Sequence, residues 1–172
     1  VVETQINKTR LVGLFTAANS NGLLVPGEIS DRERDKLEAS EIEFTVIDTR
    51  YNALGNLILC NDEGAVVSEK LSDHVEEIEE ALQVEVTIGE ISGCNPGVSG
   101  IANGKGAVIH RDASEEDALT VKNALGLEDI DIGTVNMGSP FVGSGASCND
   151  KDLLTGEPTT GPEIGRFDRT LF

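Results

Sequence analysis

Short apolar runs alternate with Asn- and Gly-bearing turns along this chain, and the pattern recurs. "VGLFTAANSNGLLVP" runs from Val12 to Pro26 and "LGNLILCNDEGAVVS" from Leu54 to Ser68. A run such as Leu57-Ile58-Leu59 reads as a strand buried on both faces, and Asn-x-x-Gly as a tight turn. Ala65-Val66-Val67 then reads as the returning strand. The anchor is a Gly, an Asn six residues on and a Gly three beyond: Gly13/Asn19/Gly22, Gly55/Asn61/Gly64 and Gly97/Asn103/Gly106. A fourth copy, Gly143/Asn149/Asp152, has Asp in the last place, and the starts lie 42, 42 and 46 residues apart. Every unit is therefore expected to open with a β-hairpin.

A helix should follow in the first three copies. Ser30 with Glu33, and Ser114 with Asp117, have capping-box spacing, and Ser72 fills the same N-cap slot. Val75, Ile78 and Leu82 form one apolar helical stripe. Apolar segments at 42–47, 84–88 and 130–135 supply a closing strand, which makes the unit ββαβ. Val1 to Ile6 reads as one more closing strand, lacking its own hairpin and helix. In the fourth copy Thr159 or Thr160 caps a helix with Pro162 in its first turn, running through Ile164 and Phe167 towards Leu171.

Repeats of this size cannot bury both faces alone and must stack or close into a ring. With one helix per unit, the expected ring is an α/β propeller, with hairpins inside and helices outside. The expected organisation is one propeller domain over 1–172. Its repeats fall at about 1–10 (the end of a first blade), 11–52, 53–94, 95–140 and 141–172.

Composition adds three constraints. With 172 residues one compact domain is expected, and with no Trp and only 3% aromatics its core must be Val, Ile, Leu and Ala. The net charge of −18, from 31 acidic and 13 basic residues, disfavours direct nucleic-acid binding. Because the acids are scattered, they fit a surface adapted to high salt, where the Debye length falls to about 3 Å at 1 M. Cys60, Cys94 and Cys148 are odd in number, without zinc-type spacing, which fits a reducing cytosol better than a disulfide scaffold or metal site. No run is long enough for a transmembrane helix and no leader pattern opens the chain. Val1 in place of Met reads as a fragment or a processed product.

Three segments taken together, "LGNLILCNDEGAVVS", "IDIGTVNMGSPFVGSGASCND" and "TTGPEIGRF", resemble the archaeal and eukaryotic translation initiation factor 6 family. The resemblance implies a pentein-type α/β propeller of five blades, of which four plus one strand are visible here. It implies a cytoplasmic, non-catalytic, cofactor-free protein, expected to be a monomer. Such a protein would bind the large ribosomal subunit, block premature joining of the small one and take part in large-subunit biogenesis. The partner surface would be chiefly ribosomal protein, with rRNA nearby. Asn95-Pro96-Gly97 departs from the smoother apolar approach of the other copies.

Function would then lie at one end of the ring. The segments leading to each first Gly are Asn7 to Arg10, Thr49 to Asn52, Ser92 to Asn95 and Asn136 to Ser139. Leu14, Asn56, Val98 and Ser144 are expected to begin the inner strands there, with Asn56 the polar exception. Candidate contacts are Lys8, Arg10, Leu14, Arg50, Tyr51, Asn52, Asn56, Asn136, Met137 and Ser139. Tyr and Arg are enriched in interface hot spots, although Arg50 could equally pair with Asp48.

The enzyme alternative is a pentein-fold guanidine-modifying enzyme with a Cys nucleophile, a His and carboxylates. Cys60 and Cys148 take the slot that Ala18 and Ala102 fill elsewhere, which reads as a small strand residue. Cys94 reads as a loop thiol, His74 as a residue of a helix's first turn and His110 as the end of an inner strand. The other alternative is a propeller that binds a small ligand in its central channel.

Overall fold

The structure, a computed structural model, describes residues 3–172. It is a mixed α/β chain of four successive units. The first contains α1 (Val12–Phe15), β1 (Ala17–Ala18), β2 (Leu23–Pro26), α2 (Asp31–Glu38) and β3 (Phe44–Ile47). The second contains α3 (Leu54–Leu57), β4 (Ile58–Cys60), β5 (Gly64–Val67), α4 (Val75–Leu82) and β6 (Glu85–Ile88). The third contains α5 (Pro96–Ser99), β7 (Gly100–Ala102), β8 (Gly106–His110), α6 (Glu115–Ala124) and β9 (Asp129–Gly133). The fourth contains α7 (Val142–Gly145), β10 (Ala146–Cys148), β11 (Leu153–Thr155) and α8 (Gly161–Leu171).

In units one to three the hairpin strands pair antiparallel, and the strand after the helix joins the second of them in parallel. Among the described residues the fourth sheet has only its hairpin, β10 with β11. The expected closing strand at 1–6 lies partly outside the described residues; Glu3–Gln5 are not in a strand, and Ile6 makes a single bridge with Thr9.

The hydrophobic core lies between units. Ala17, Leu24 and Ile47 of the first pack with Leu54, Leu71, Ile78 and Leu82 of the second. Leu59, Val66 and Ile91 of the second pack with Val121, Leu125 and Leu127 of the third. Ile101, Val108 and Val135 of the third meet Phe167 and Leu171 of the fourth. α4, α6 and α8 thus each cover the sheet before them, while Leu37 of α2 packs with Val25, Phe44 and Val46 of its own unit.

The first glycine of each repeat overturns the expectation that a hairpin opens the unit. Gly13, Gly55, Gly97 and Gly143 lie inside the one-turn helices α1, α3, α5 and α7, and the inner strands start after them. Leu14, Asn56, Val98 and Ser144 are therefore helical residues, not strand starts. The reason is contact across units. A Cβ on Gly55 would overlap the Gly13 carbonyl oxygen, and one on Gly97 or Gly143 the carbonyl of Gly55 or Gly97 in turn. Only glycine allows backbones so close. Pro96 fits because it sits at the first helical position, where no N–H is needed.

The repeated Asn does more than turn the chain. Its Oδ1 accepts from the backbone two and three residues on, as in Glu63 N at 2.9 Å and Gly64 N at 3.0 Å for Asn61. Its Nδ2 donates to the next unit: Asn61 to Asn103 O at 3.0 Å and to Leu125 O, at the end of α6, at 2.8 Å. Asn19 and Asn103 repeat this with Asn61 O and Leu82 O, and with Asn149 O and Leu171 O. One amide thus satisfies its own turn and ties that turn to its neighbour's turn and helix end.

Candidate functional site

The one-turn helices α1, α3, α5 and α7 pack successively in a row, and each is approached by one of the four segments singled out in the sequence. That row is the candidate site, because it brings loops from all four units to one end. Three loops share a construction. Ile6–Thr9, Ile91–Cys94 and Val135–Ser139 are closed by backbone bridges. Their turn residues Asn7 and Lys8, Ser92 and Gly93, and Asn136, Met137 and Gly138 all have positive φ. This is the left-handed geometry of tight turns, tolerated by Asn and Gly and held elsewhere by its surroundings.

A carboxylate from the following helix supplies that hold. Glu33 Oε1 accepts from Lys8 N at 2.8 Å, and Asp117 Oδ2 from Ser92 N at 3.2 Å. Glu163 accepts from Gly138 N at 2.9 Å and Met137 N at 3.3 Å, and from the Thr134 hydroxyl at 2.8 Å. The same three acids complete capping boxes with Ser30, Ser114 and Thr160. One side chain therefore both starts a helix and fastens a loop.

Electrostatics record the arrangement. Burial alone would raise the Glu163 pKa, but N–H groups of Thr160 and Gly138 and hydroxyls of Thr134 and Thr160 outweigh it and hold the group at about 2. Glu33 and Asp117 are lowered in the same sense: desolvation opposes the shift, and the bonds from Ser30 and Lys8, or from Ser114 and Ser92, overcome it. Sequence reasoning found Glu33 and Asp117 as caps, passed over Glu163, and missed the hold of all three on the loops, since the N–H groups they take lie 25 or 26 positions earlier.

Unit two differs. Val75 stands where the fastening acid would be, and Ser72 is no cap; it lies within a 3-10 turn, Glu69–His74, that is kinked at Leu71. Thr49–Asn52 has neither a closing bridge nor positive φ. Side chains hold it instead. Asn52 Nδ2 donates to Glu28 Oε2 at 2.9 Å, and Tyr51 packs against the buried cluster of units one and two. Arg50 does not take the expected partner Asp48. Its guanidinium carbon lies 4.7 Å from the Tyr51 ring centroid, with Nη2 donating to the Tyr51 hydroxyl at 2.6 Å.

The candidates therefore divide. Lys8, Arg10, Arg50 and Met137 are exposed, while Leu14, Tyr51, Asn52, Asn56, Asn136 and Ser139 are half-buried. Asn136 Oδ1 accepts from the Thr159 hydroxyl at 3.1 Å, and Ser139 exchanges backbone bonds with Val135, so both are structural members of their turn. Asn56 sits on α3 rather than heading a strand. The sequence reading passed over Leu11 and Phe141, which precede α1 and α7. Leu11 is 63% and Phe141 41% exposed, beside Met137 at 76%, so this end presents apolar surface.

A profile of the eIF-6 family matches residues 1–170. Translation initiation factor 6 of Pyrococcus abyssi is 39% identical over 179 residues, covering 99% of this chain and 78% of the relative. Those of Methanosarcina mazei and Haloquadratum walsbyi are each 38% identical over 173 residues, covering 99% of this chain and 78% and 76% of theirs. The chain belongs to the eIF-6 family.

Within this eIF-6 chain the thiols are poorly placed for nucleophilic chemistry. Desolvation pushes Cys60 up to about 12 and Cys148 to about 11, and each Sγ donates to a neighbouring carbonyl, Ala18 O or Ala102 O, at 3.4 Å. His110 is buried, stacks edge-on to Phe141 at 5.6 Å, and its Nδ1 accepts from Asp112 N. His74 pairs with Glu77 at 2.9 Å. Cys94 is committed through its backbone to the bridge with Ile91. No group of three metal-ligating side chains occurs among the described residues. At the far end of the units a cavity of about 270 Å³ is lined by Asn19, Cys60, Asn61, Asn103, Cys148 and Asn149. No helix among the described residues is long and apolar enough to cross a membrane.

Proposed function

We propose that this protein is a translation factor that binds the large ribosomal subunit and sterically blocks its premature joining to the small one, with a role in large-subunit biogenesis. The observation carrying this reading is the row of one-turn helices, which gathers a loop from every unit at one end and leaves apolar Leu11, Met137 and Phe141 exposed there. Such a face suits a partner surface rather than a small substrate, and exposed apolar groups are what macromolecular contacts bury. The names of the relatives point the same way.

In this reading the four units are blades of a pentein-type propeller of five. A Cβ on Gly13 would meet nothing within 4 Å, whereas those on Gly55, Gly97 and Gly143 would each strike the preceding unit. The protein acts in the cytoplasm, by occupancy rather than catalysis, against a surface that is chiefly ribosomal protein. The far-end cavity of about 270 Å³ is below the range usual for drug-sized ligands, which weakens the small-ligand alternative.

The test is sedimentation with isolated archaeal ribosomal subunits in high salt. Binding to the large subunit alone, with loss of joined ribosomes, is expected. Equal binding to both subunits, or none with an upstream unit restored, overturns the reading.

A further inference from the structure

Resting on that reading, the structure allows a finer assignment within the same end. We propose that Thr49–Asn52 is the specificity-determining loop of the face, and that Arg50, laid on Tyr51, takes a carboxylate of a protein partner.

The four loops are equivalent in the repeat, yet three are closed turns fastened inside the protein. Glu33, Asp117 and Glu163 take the N–H groups of Lys8, of Ser92, and of Met137 and Gly138. In unit two the fastening acid is replaced by Val75, and the loop is spared the closed turn. What it presents instead is a guanidinium held over an aromatic ring at 4.7 Å. Among the described residues Arg50 makes one hydrogen bond, to Tyr51, and no ion pair. One nitrogen is anchored, on a side chain that is otherwise exposed.

This is a preorganised fork. Stacking fixes the plane of the guanidinium, so less rotamer freedom is lost when a planar anion docks in bidentate fashion. Tyr51 is itself fixed from beneath by the core cluster it packs on.

The choice between a carboxylate and a phosphate follows from charge. A phosphate backbone rewards several cations set along it. This end offers Lys8, Arg10 and Arg50 from a chain of net charge −18, with Glu28 and Asp48 exposed beside the loop. One fork in an acidic, partly apolar setting matches one acid in a basic protein surface, where the flanking charges also complement each other.

The experiment measures affinity of the full chain for isolated large ribosomal subunits across a salt series. Arg50→Ala is expected to weaken binding roughly 30-fold, the scale of a hot-spot residue. Arg50→Lys, which keeps the charge and loses the fork, should stay at least about tenfold weak. Lys151→Ala removes one exposed cation at the far end and should change binding less than about twofold. Circular dichroism of each variant separates folding from binding.

Arg50→Cys carrying a short photo-crosslinker then reports the partner, and a crosslink to ribosomal protein is expected. A crosslink to rRNA overturns the carboxylate assignment. Arg50→Ala binding within twofold of the parent, or full rescue by Arg50→Lys, overturns the role of the fork. Failure of the parent to bind even with an upstream unit restored removes the ribosomal reading and this assignment with it. Parent binding with unaffected variants removes this assignment alone.

Discussion

The loops of units two and four begin from the same scaffold and end as opposites. Val135–Ser139 is a closed turn with three residues at positive φ, and Glu163 locks it from α8. Thr49–Asn52 has no such lock, and its Arg50 and Tyr51 are stacked on each other. The replacement of the carboxylate by Val75 goes with the loss of left-handed residues from the loop. With the acid present, the turn's N–H groups are satisfied internally and the loop becomes part of the frame. With the acid gone, no internal acceptor rewards the strained turn, and the loop is free to present side chains. The pair shows how a repeat protein can keep its frame and still vary one face: the change is made in the fastening, not in the fold.

The largest effects should strike both regions alike. Gly55→Ala and Gly143→Ala each drive a Cβ into the neighbouring unit's backbone, so each should cost about 3 kcal/mol or more in chemical denaturation. Gly13→Ala meets nothing within 4 Å and serves as the mild counterpart. Unequal costs for the two closely packed glycines would mean that the units do not share one frame.

Next comes the lock itself. Glu163→Gln places an amide where several donors converge, and it should cost about 3 kcal/mol at neutral pH. The pH dependence follows from the lowered pKa. Held at about 2 in the fold against an ordinary 4.5, Glu163 contributes stability that is full above about pH 4.5 and is lost as pH falls towards 2. The parent's acid-unfolding limb in that window should flatten in the variant; identical limbs would remove Glu163 from this role.

A smaller effect separates the presence of an acid from its use. Val75→Glu restores the carboxylate in unit two but not the turn, since Thr49–Asn52 has no left-handed residue to offer its N–H groups. We expect a loss of about 1 kcal/mol from placing a charge at a half-buried position. A gain would show that the loop can be closed by the acid alone. Smallest of all, Arg50→Ala should leave the denaturation midpoint within about 0.5 kcal/mol of the parent, because Arg50 is exposed and holds nothing else in place. A larger loss would make Arg50 part of the frame.

The sequence alone determined the repeat, its spacing and most of its local structure. Apolar runs became β4, β5 and their counterparts, and the capping boxes at Ser30, Ser114 and Thr160 formed as their spacing required. These are short-range matters, settled by which side chain can reach which backbone group within a few residues. Tertiary structure decided why the anchors are what they are. Gly55 looked like the start of a strand because local pattern cannot register the Gly13 carbonyl, which lies 42 positions away in the chain and in contact in space. Asn61 read as a turn residue, and half of its bonding goes to Asn103 and Leu125 in the next unit. Glu163 completes the cap of α8, yet it also closes a loop ahead of its own unit. The candidate face was legible as a set of loops. Which loop is locked and which is free depended on acceptors brought close only when neighbouring units pack.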